Sequence, residues 1–217
     1  MEKDFWLERW ELQQIGFHQN AVNPYLERYG DRLKGKVFVP LCGKSLDMSW
    51  LAGQGAEVLG VELSPIAVRA YFEENGVSAT CKSCGKFESH EANGIRILCG
   101  DFFDLRREDM QGVSAIYDRA SMVALPVAMR ERYVHHMMSI LPEGAEILLI
   151  TFDYPQDEMQ GPPFAVSVEE VKRLYRDLAH IALLDQADIL EPRFAERGVT
   201  RMQEKVFLLK SAGNSVR

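Results

Sequence analysis

The stretch VFVPLCGKSLD, from Val37 to Asp47, predicts the fold of this chain. Its Gly-Lys-Ser is shared with phosphate-binding loops, but such a loop needs another glycine five positions before the Gly-Lys pair. Phe38 stands at that position, and its bulky side chain blocks a nest of backbone N–H groups. What remains is an apolar strand, a tight glycine turn and a helix for which Ser45 is the expected N-cap. This order is typical of the entrance to a doubly wound α/β fold.

Composition and charge limit the class of protein. With 217 residues, of which 47% are hydrophobic and 26% charged, the chain is predicted to form one globular domain over residues 1–217. The net charge of −7 and the pI of about 5.3 argue against binding to nucleic acid or to an anionic membrane. The sequence shows no signal-peptide pattern and no apolar run of the ~20 residues that span a bilayer. We therefore expect a cytoplasmic monomer with no nucleic-acid or membrane partner.

The cysteines raise the question of a metal or redox site. Cys81 and Cys84 form the motif CKSC, and His90 follows nearby. Zinc needs four ligands, or three and a water molecule, and no second Cys-x-x-Cys or His-x-x-x-His follows. A redox pair would precede a helix, whereas CKSCGKFESHEANG indicates an irregular or hairpin segment. We therefore expect free thiols and no metal.

Short apolar segments typical of strands alternate with amphipathic helices. The predicted strands are Val37–Pro40, Val58–Val61, Ile95–Cys99, Ser114–Tyr117, Glu146–Phe152, Ile181–Ile189 and Glu204–Lys210. Helix starts are indicated at Asn23-Pro24, Ser64-Pro65, Leu125-Pro126 and the capping box from Ser167 to Glu170. The pattern predicts an α/β fold with a doubly wound, mostly parallel seven-stranded sheet and an antiparallel C-terminal edge. Residues 1–35 precede the first strand, and we expect them to form a helical cap over the active site.

In such folds the ligand lies at the carboxyl ends of the strands, so the residues there predict its chemistry. Glu62 directly follows Val58–Val61 and can accept two hydrogen bonds from a ribose diol, an ordinary charged strand end being the alternative. Asp101 offers an acceptor for an exocyclic amine, and Phe102 either offers a flat surface to a purine or packs in the core. A single glycine, Gly43, argues against the pyrophosphate of a dinucleotide. It suits S-adenosylmethionine, which has a ribose and an adenine but no phosphate.

Charged and aromatic residues would complete such a site. Arg119 ends the fourth predicted strand and offers a cation for the carboxylate of the ligand, unless it forms a salt bridge with Asp118. A sulfonium favours aromatic surroundings, which Trp6, Trp10 and Phe17 offer. Trp6 and Trp10 also share one helical face, so plain packing remains an alternative for them.

Five segments together closely resemble the bacterial form of the thiopurine S-methyltransferase family: FWLERWELQQIGFH, VFVPLCGKSLDMSWLAGQGAEVLGVELS, YDRASMVAL, GPPFAV and EKVFLL. The similarity extends from Phe5 to Lys210. It implies a class I methyltransferase fold, with S-adenosylmethionine as donor and S-adenosylhomocysteine as product. The cofactor contacts that it implies are Trp10, Leu41, Glu62, Asp101, Phe102 and Arg119. The substrate contacts that it implies are Phe17, the loop Pro162–Phe164 with Pro163 at its centre, and Arg193.

The sequence departs from the animal members of this family in two places. The segment Thr80–Gly94 is shorter, and Asp101 stands where animal members have serine, so the hydrogen bond on the adenine side is expected to differ.

The resemblance implies methyl transfer to the sulfur of a thiopurine or another aromatic thiol. Such a thiol is acidic enough to be substantially thiolate near neutral pH, so no dedicated base is needed and no catalytic residue is assigned. Bacterial members are also associated with selenium and tellurium, so the expected partner is a small thiol or chalcogen compound. Two alternatives stay open. One is a methyltransferase for an oxygen or nitrogen acceptor, which would need a base. The other is a sensor that binds S-adenosylmethionine and transfers nothing.

Overall fold

Strands form at all seven predicted segments, and two more form between the second and third of these. The structure is a computed structural model that describes residues 3–196 and 198–212. The strands in these residues are β1 (Lys36–Val39), β2 (Glu57–Glu62), β3 (Thr80–Cys84), β4 (Phe87–Ala92), β5 (Ile95–Cys99), β6 (Val113–Arg119), β7 (Glu146–Asp153), β8 (Ala179–Asp188) and β9 (Gln203–Ser211). The α-helices are α1 (Lys3–Glu11), α2 (Pro24–Tyr29), α3 (Asp47–Gly53), α4 (Pro65–Glu74), α5 (Val127–Ile140), α6 (Val168–Tyr175) and α7 (Pro192–Ala195).

The chain divides into two compact units, Met1–Tyr117 and Asp118–Arg217. In the first unit the strands are ordered β3-β4-β5-β2-β1-β6, and the four from β5 to β6 pair in parallel. The predicted parallel sheet is therefore confirmed there. In the second unit the order is β7-β9-β8 and both pairings are antiparallel, as predicted for the C-terminal strands.

The prediction of seven strands is wrong by two, because β3 and β4 form a hairpin that pairs antiparallel with β5. The two-residue turn Asn93-Gly94 joins β4 to β5, and its φ angles of 52° and 78° suit a type I′ hairpin turn. Gly85, with φ 62°, lies in the turn between β3 and β4. β3 shows no alternation of buried and exposed residues, since its first four residues are exposed. Turn geometry, rather than a hydrophobic pattern, indicates these two strands.

Three helices begin at the predicted capping residues. The side chains of Asn23, Ser64 and Ser167 each accept a backbone N–H from the first turn of the following helix, at 2.9, 3.4 and 3.2 Å. Ser45 stands one residue before the N-cap of α3, which is Leu46, so the predicted cap position is wrong by one. The hydroxyl of Ser45 nevertheless accepts the N–H of Asp47, the first residue of the helix, at 3.3 Å. Residues 42–45 first form a turn, closed by the N–H of Ser45 on the carbonyl of Cys42 at 3.1 Å.

The parallel strands of the first unit bring their carboxyl ends to one edge of the sheet. β1 and β2 are buried over most of their length, so these ends are held in a rigid setting. The loop after β1 is tied to β2 by the N–H of Cys42, which donates to the carbonyl of Val61 at 3.0 Å. Among the described residues, no helix combines the length and apolarity needed to cross a membrane.

Candidate functional site

Glu62, at the end of β2, is a buried carboxylate held by the backbone. It is 6% exposed, and its two oxygens accept the N–H groups of Gly43 at 2.9 Å and Ser64 at 2.8 Å. Burial raises the pKa of Glu62, while these backbone donors act in the opposite direction. Each carboxylate oxygen can accept more than one hydrogen bond, so Glu62 keeps acceptor capacity for a diol.

The loop after β1 has two residues in the left-handed region. Leu41 has φ 45° and Gly43 has φ 53°. A Cβ atom on Gly43 would lie 3.2 Å from Cζ2 of Trp10, so the absence of a side chain lets Trp10 lie over the loop. The left-handed Leu41, unusual for a residue with a side chain, is typical of functional loops. Next along the chain, Nζ of Lys44 lies 2.6 Å from a carboxylate oxygen of Glu74 in α4, so Lys44 is engaged in an ion pair.

The aromatic residues of the N-terminal segment form a cluster in the first unit. Phe17 lies edge-on to Trp6 and to Trp10, with ring centroids 5.7 and 5.6 Å apart. Trp10 is 3% exposed, while Trp6 and Phe17 are half-buried. The structure therefore brings Trp10 and Phe17 together and places Trp10 against the loop after β1 that contains Gly43, the glycine loop.

Asp101 and Phe102 follow β5. One oxygen of Asp101 accepts the N–H of Phe103 at 2.9 Å, and the other lies 2.7 Å from Nζ of Lys3. Phe102 is 3% exposed and stacks on Phe38, with ring centroids 6.5 Å apart. The core packing that the sequence offered as an alternative for Phe102 is present, and a contact of Phe102 with a cofactor stays a prediction.

In the second unit, Asp118 and Arg119 have different surroundings. Asp118 is fully buried and accepts the N–H of Met122 at 3.2 Å and the hydroxyl of Tyr133 at 2.8 Å. Burial raises the pKa of Asp118 to about 6, above its ordinary 3.8. Within the described residues Arg119 forms no ion pair with Asp118. Burial raises the pKa of Glu204, and the charge of Arg119 opposes that effect.

The loop predicted to contact substrate is held by hydrogen bonds within the second unit. The hydroxyl of Tyr154 donates to the carbonyl of Pro163 at 2.6 Å, and the N–H of Phe164 donates to the carbonyl of Val123 at 2.7 Å. The bonds Gly161-Pro162 and Pro162-Pro163 are both cis. Arg193 has its backbone in α7, and its side chain lies outside the described residues.

Comparison with known proteins decides the family. A family model described as thiopurine S-methyltransferase matches residues 1–212. The chain belongs to the thiopurine S-methyltransferase family. A member from Nitrosospira multiformis is 56% identical over 96% of this chain and 98% of its own length. A member from Pseudomonas aeruginosa is 48% identical over 97% and 99%. Both carry the name thiopurine S-methyltransferase.

Solved structures agree on the fold. A methyltransferase dependent on S-adenosylmethionine from Anabaena variabilis gives a TM-score of 0.65 at 14% identity, over 96% of this chain and 94% of that structure. The 1,6-didemethyltoxoflavin-N1-methyltransferase of Burkholderia thailandensis, with S-adenosylhomocysteine bound, gives 0.62 at 14% identity over 96% and 86%. This member of the family therefore has the α/β fold of these methyltransferases, and its methyl donor is S-adenosylmethionine.

The residues of the first unit fit this cofactor. Glu62 is a buried acceptor that suits a ribose diol, and the two oxygens of Asp101 lie near the end of the neighbouring strand. Gly43 has no side chain, and the Trp10 ring lies 3.2 Å from the position that a Cβ atom would take there. Together these residues offer hydrogen-bond acceptors for hydroxyl and amine groups, and an aromatic surface, as the cofactor requires.

Arg130 was not predicted from the sequence to lie near the site. Arg130 is fully buried on α5, donates to the carbonyl of Leu125 at 2.9 Å and pairs with Glu170 at 2.6 Å. Its guanidinium carbon lies 5.9 Å from the ring centroid of Phe164, in the predicted substrate loop. The sequence does indicate that Arg130 is buried. It precedes the apolar residues Tyr133, Val134 and Met137 by three, four and seven positions, which places it on the same face of the helix.

Proposed function

We propose that this methyltransferase transfers the methyl group to the sulfur of a small aromatic or heteroaromatic thiol, such as a thiopurine. The proposal is supported first by the 56% identity to a relative that is named for this reaction. One structural observation carries it further. The acid at the end of β2, Glu62, has both oxygens tied to backbone N–H groups, which suits an anchor rather than a proton acceptor. An acceptor that arrives as thiolate needs no base.

The residues of the chain then act by holding and aligning. When bound, S-adenosylmethionine supplies a methyl group that is already activated by the positive charge on its sulfur. Glu62 accepts hydrogen bonds from ribose hydroxyls, while Gly43 and Ser64 keep the carboxylate oriented. Fixing the orientation of two reactants accounts for a large part of the rate of such displacements. We place the main catalytic effect in this alignment.

We also propose that residues 1–35 form a cap over the cofactor end of the first unit. Trp10 lies against Gly43, and Lys3 reaches Asp101 at 2.7 Å, so α1 contacts the loops after both β1 and β5. Phe17, held edge-on to Trp10, is the residue of the cap that we assign to the acceptor. Closure of the cap would exclude water and favour a small, flat acceptor.

The predicted substrate loop, Pro162–Phe164, is the second element of the proposal. Its backbone is fixed at Pro163 and Phe164 by Tyr154 and by Val123, so its proline rings are presented in one orientation. We assign Pro163 and Arg193 to the acceptor and Arg119 to the carboxylate of the cofactor. These assignments rest on sequence resemblance. Selenium and tellurium compounds belong to the proposed range of acceptors, because the heavier chalcogen atoms are soft nucleophiles, as is the sulfur of a thiolate.

The test is an acceptor panel with cofactor labelled in its methyl group. The panel contains a thiopurine and thiophenol, their oxygen and nitrogen analogues, selenite and tellurite. We expect labelled product with the thiols and much less with the analogues, whose attack would require a base. Methylation of an oxygen or nitrogen analogue at the rate of the thiol would overturn the assignment. Tight binding of S-adenosylhomocysteine without turnover of any acceptor would favour a sensor.

A further inference from the structure

The hairpin of β3 and β4 holds a second set of reactive groups. Sγ of Cys81 lies 3.1 Å from Nδ1 of His90, and Nε2 of the same ring lies 2.8 Å from Oε1 of Glu88. Cys81 is exposed, whereas the ring of His90 is buried. A thiol, an imidazole and a carboxylate therefore form a chain of hydrogen bonds within one hairpin.

Local structure fixes this arrangement. Cys81 and His90 are directly paired across the two strands, so their side chains project from the same face. Glu88 lies two residues before His90 on β4 and shares that face. The ring of Phe72, from α4, is stacked on His90 with centroids 6.4 Å apart and an angle of 22°. The imidazole is thus held between the thiol and the carboxylate.

The contacts assign the hydrogens. A carboxylate only accepts hydrogen bonds, so Nε2 of His90 carries a hydrogen and donates it to Glu88. Nδ1 of the neutral ring is then an acceptor and faces the thiol. The other contact of Sγ, with the carbonyl of Ala79, is much longer at 3.9 Å. A nucleophile, a base and a group that orients the base are the elements of an activated cysteine.

We propose that Cys81, His90 and Glu88 form a thiol–disulfide exchange site at which small disulfides modify Cys81. His90 takes the thiol proton, and the Cys81 sulfur attacks one sulfur of the disulfide. A Cys81–S–S–R bond forms as the S–S bond of the reagent breaks. The leaving thiolate takes the proton from His90 and departs as a thiol. The Cys81 sulfur is oxidised and half of the disulfide is reduced, so no further oxidant is needed.

The other cysteines lack this setting. Burial raises the pKa of Cys42 well above its ordinary value and that of Cys99 to about 11, so their thiols resist ionisation. Cys84 lies three residues after Cys81 on β3 and therefore projects from the opposite face, near Arg96 at 3.6 Å. Because Cys84 points away, Cys81 has no resolving cysteine in its own motif. The mixed disulfide should therefore persist until an external thiol removes it.

Zinc is the rival ligand, since ligand atoms of Cys81, Glu88 and His90 all lie within 4.8 Å of one another. The observed contacts favour the exchange site. His90 lies between its two partners, and Glu88 faces the ring nitrogen that is remote from Cys81. A metal bound to Cys81 and to the nearer nitrogen would leave Glu88 as a supporting group, with only two protein ligands.

The experiment follows release of the pyridine thione from excess 4,4′-dithiodipyridine at neutral pH, with peptide mapping of the labelled protein. We expect a fast phase of one thiol per chain, located at Cys81. Cys81→Ser should abolish this phase, and His90→Asn should slow it about tenfold or more, as expected when a base is lost. Glu88→Gln should slow it by a smaller factor, since it only orients the base.

Two matched variants are expected to keep the fast phase. Cys84→Ser removes the other thiol of the motif, and Glu91→Gln changes an exposed carboxylate of β4 on the opposite face from Glu88. Circular dichroism of every variant separates loss of reactivity from loss of fold. Labelling of Cys84 before Cys81, or an unchanged rate in His90→Asn, would overturn the proposal. So would one zinc ion per chain, measured by elemental analysis of protein purified without chelator, if its removal were needed for the reaction.

Discussion

Trp10 lies 3.2 Å from the point at which a Cβ atom of Gly43 would sit, so the first helix and the glycine loop touch because residue 43 has no side chain. Gly43→Ala should push the Trp10 ring back by a few tenths of an ångström and strain a backbone with φ 53°, at a cost of about 1–2 kcal/mol for the backbone alone. We expect weaker binding of S-adenosylhomocysteine in calorimetric titration and a shifted tryptophan emission.

The matched control is Gly76→Ala, after α4. Gly76 has φ 65°, but nothing lies within 4 Å of the position that a Cβ atom would take there, so this variant carries the backbone strain without the clash. Both variants should lose stability, and only Gly43→Ala should lose affinity. Equal affinities in the two variants would show that contact with Trp10 is irrelevant to binding.

Glu62→Gln tests the anchor for the ribose. We expect the affinity for S-adenosylhomocysteine to fall by about 1–3 kcal/mol, the usual size for hydrogen bonds to a charged group. Glu57→Gln is the control, because Glu57 is exposed at the opposite end of the same strand. Calorimetry should find the control unchanged. An unchanged affinity in Glu62→Gln would refute the role.

The cap is tested by limited proteolysis with trypsin. If residues 1–35 order on binding, cleavage within the first ~20 residues, including after Arg9, should slow when S-adenosylhomocysteine is added. Cleavage after Arg176, an exposed residue of the second unit, provides an internal reference for protease activity. Equal cleavage after Arg9 with and without ligand would instead indicate a permanently docked helix.

Asp118 should make stability depend on pH. Because burial raises its folded-state pKa from 3.8 to about 6, the folded protein favours the protonated carboxyl. Its stabilising contribution is present below the ordinary pKa and is lost as the pH rises through about 6. Asp118→Asn should therefore gain stability relative to the parent between about pH 4 and 7, by up to about 3 kcal/mol.

Urea denaturation across this pH range provides the measurement, with exposed Asp177→Asn as the control. The free energy of unfolding of the control should change with pH in the same way as that of the parent. If the free energy of unfolding of Asp118→Asn also followed that of the parent, the carboxyl of Asp118 would not carry the shifted pKa.

Arg130→Met should destabilise the second unit. It removes the partner of Glu170 and the hydrogen bond to Leu125, and loss of one member of a buried ion pair costs about 3–5 kcal/mol. Adding Glu170→Gln should recover part of that loss. Arg173→Met is the control, since Arg173 is half exposed and 3.8 Å from Glu170, a pair worth less than about 1 kcal/mol. Equal losses of unfolding free energy in the two arginine variants would contradict this assignment.

The fold could be predicted wherever local chemistry and pattern agree. Asn23, Ser64 and Ser167 cap helices at the predicted places because capping depends on a few neighbouring residues. The segment of β3 and β4 was predicted only as irregular or hairpin and was not counted among the strands, although Asn93-Gly94 is a strong hairpin signal. Its first strand is almost wholly exposed, so no apolar alternation accompanies the turn.

The site could be predicted only in part. The position of Glu62 could be predicted because the end of an apolar strand is visible in sequence. Its role toward a ribose stays a prediction, with which burial of its carboxylate is consistent. Its backbone donors could not be predicted, since Gly43 precedes it by 19 positions and meets it only through the pairing of β1 with β2. Arg130 was missed for the same reason, because Glu170 lies 40 positions away.

The hairpin of β3 and β4 also determines which strand lies at the open edge of the sheet in the first unit, where a strand of another chain could pair. Without β3 and β4, the open side of the sheet would be β5, with buried Ile95, Ile97 and Leu98 along it. An apolar strand with unpaired backbone groups is a template for aggregation. The hairpin pairs with β5, and the sheet ends instead in β3, a short polar strand with Lys82 at its centre. A strand of another chain that paired there would lie beside the charged side chain of Lys82.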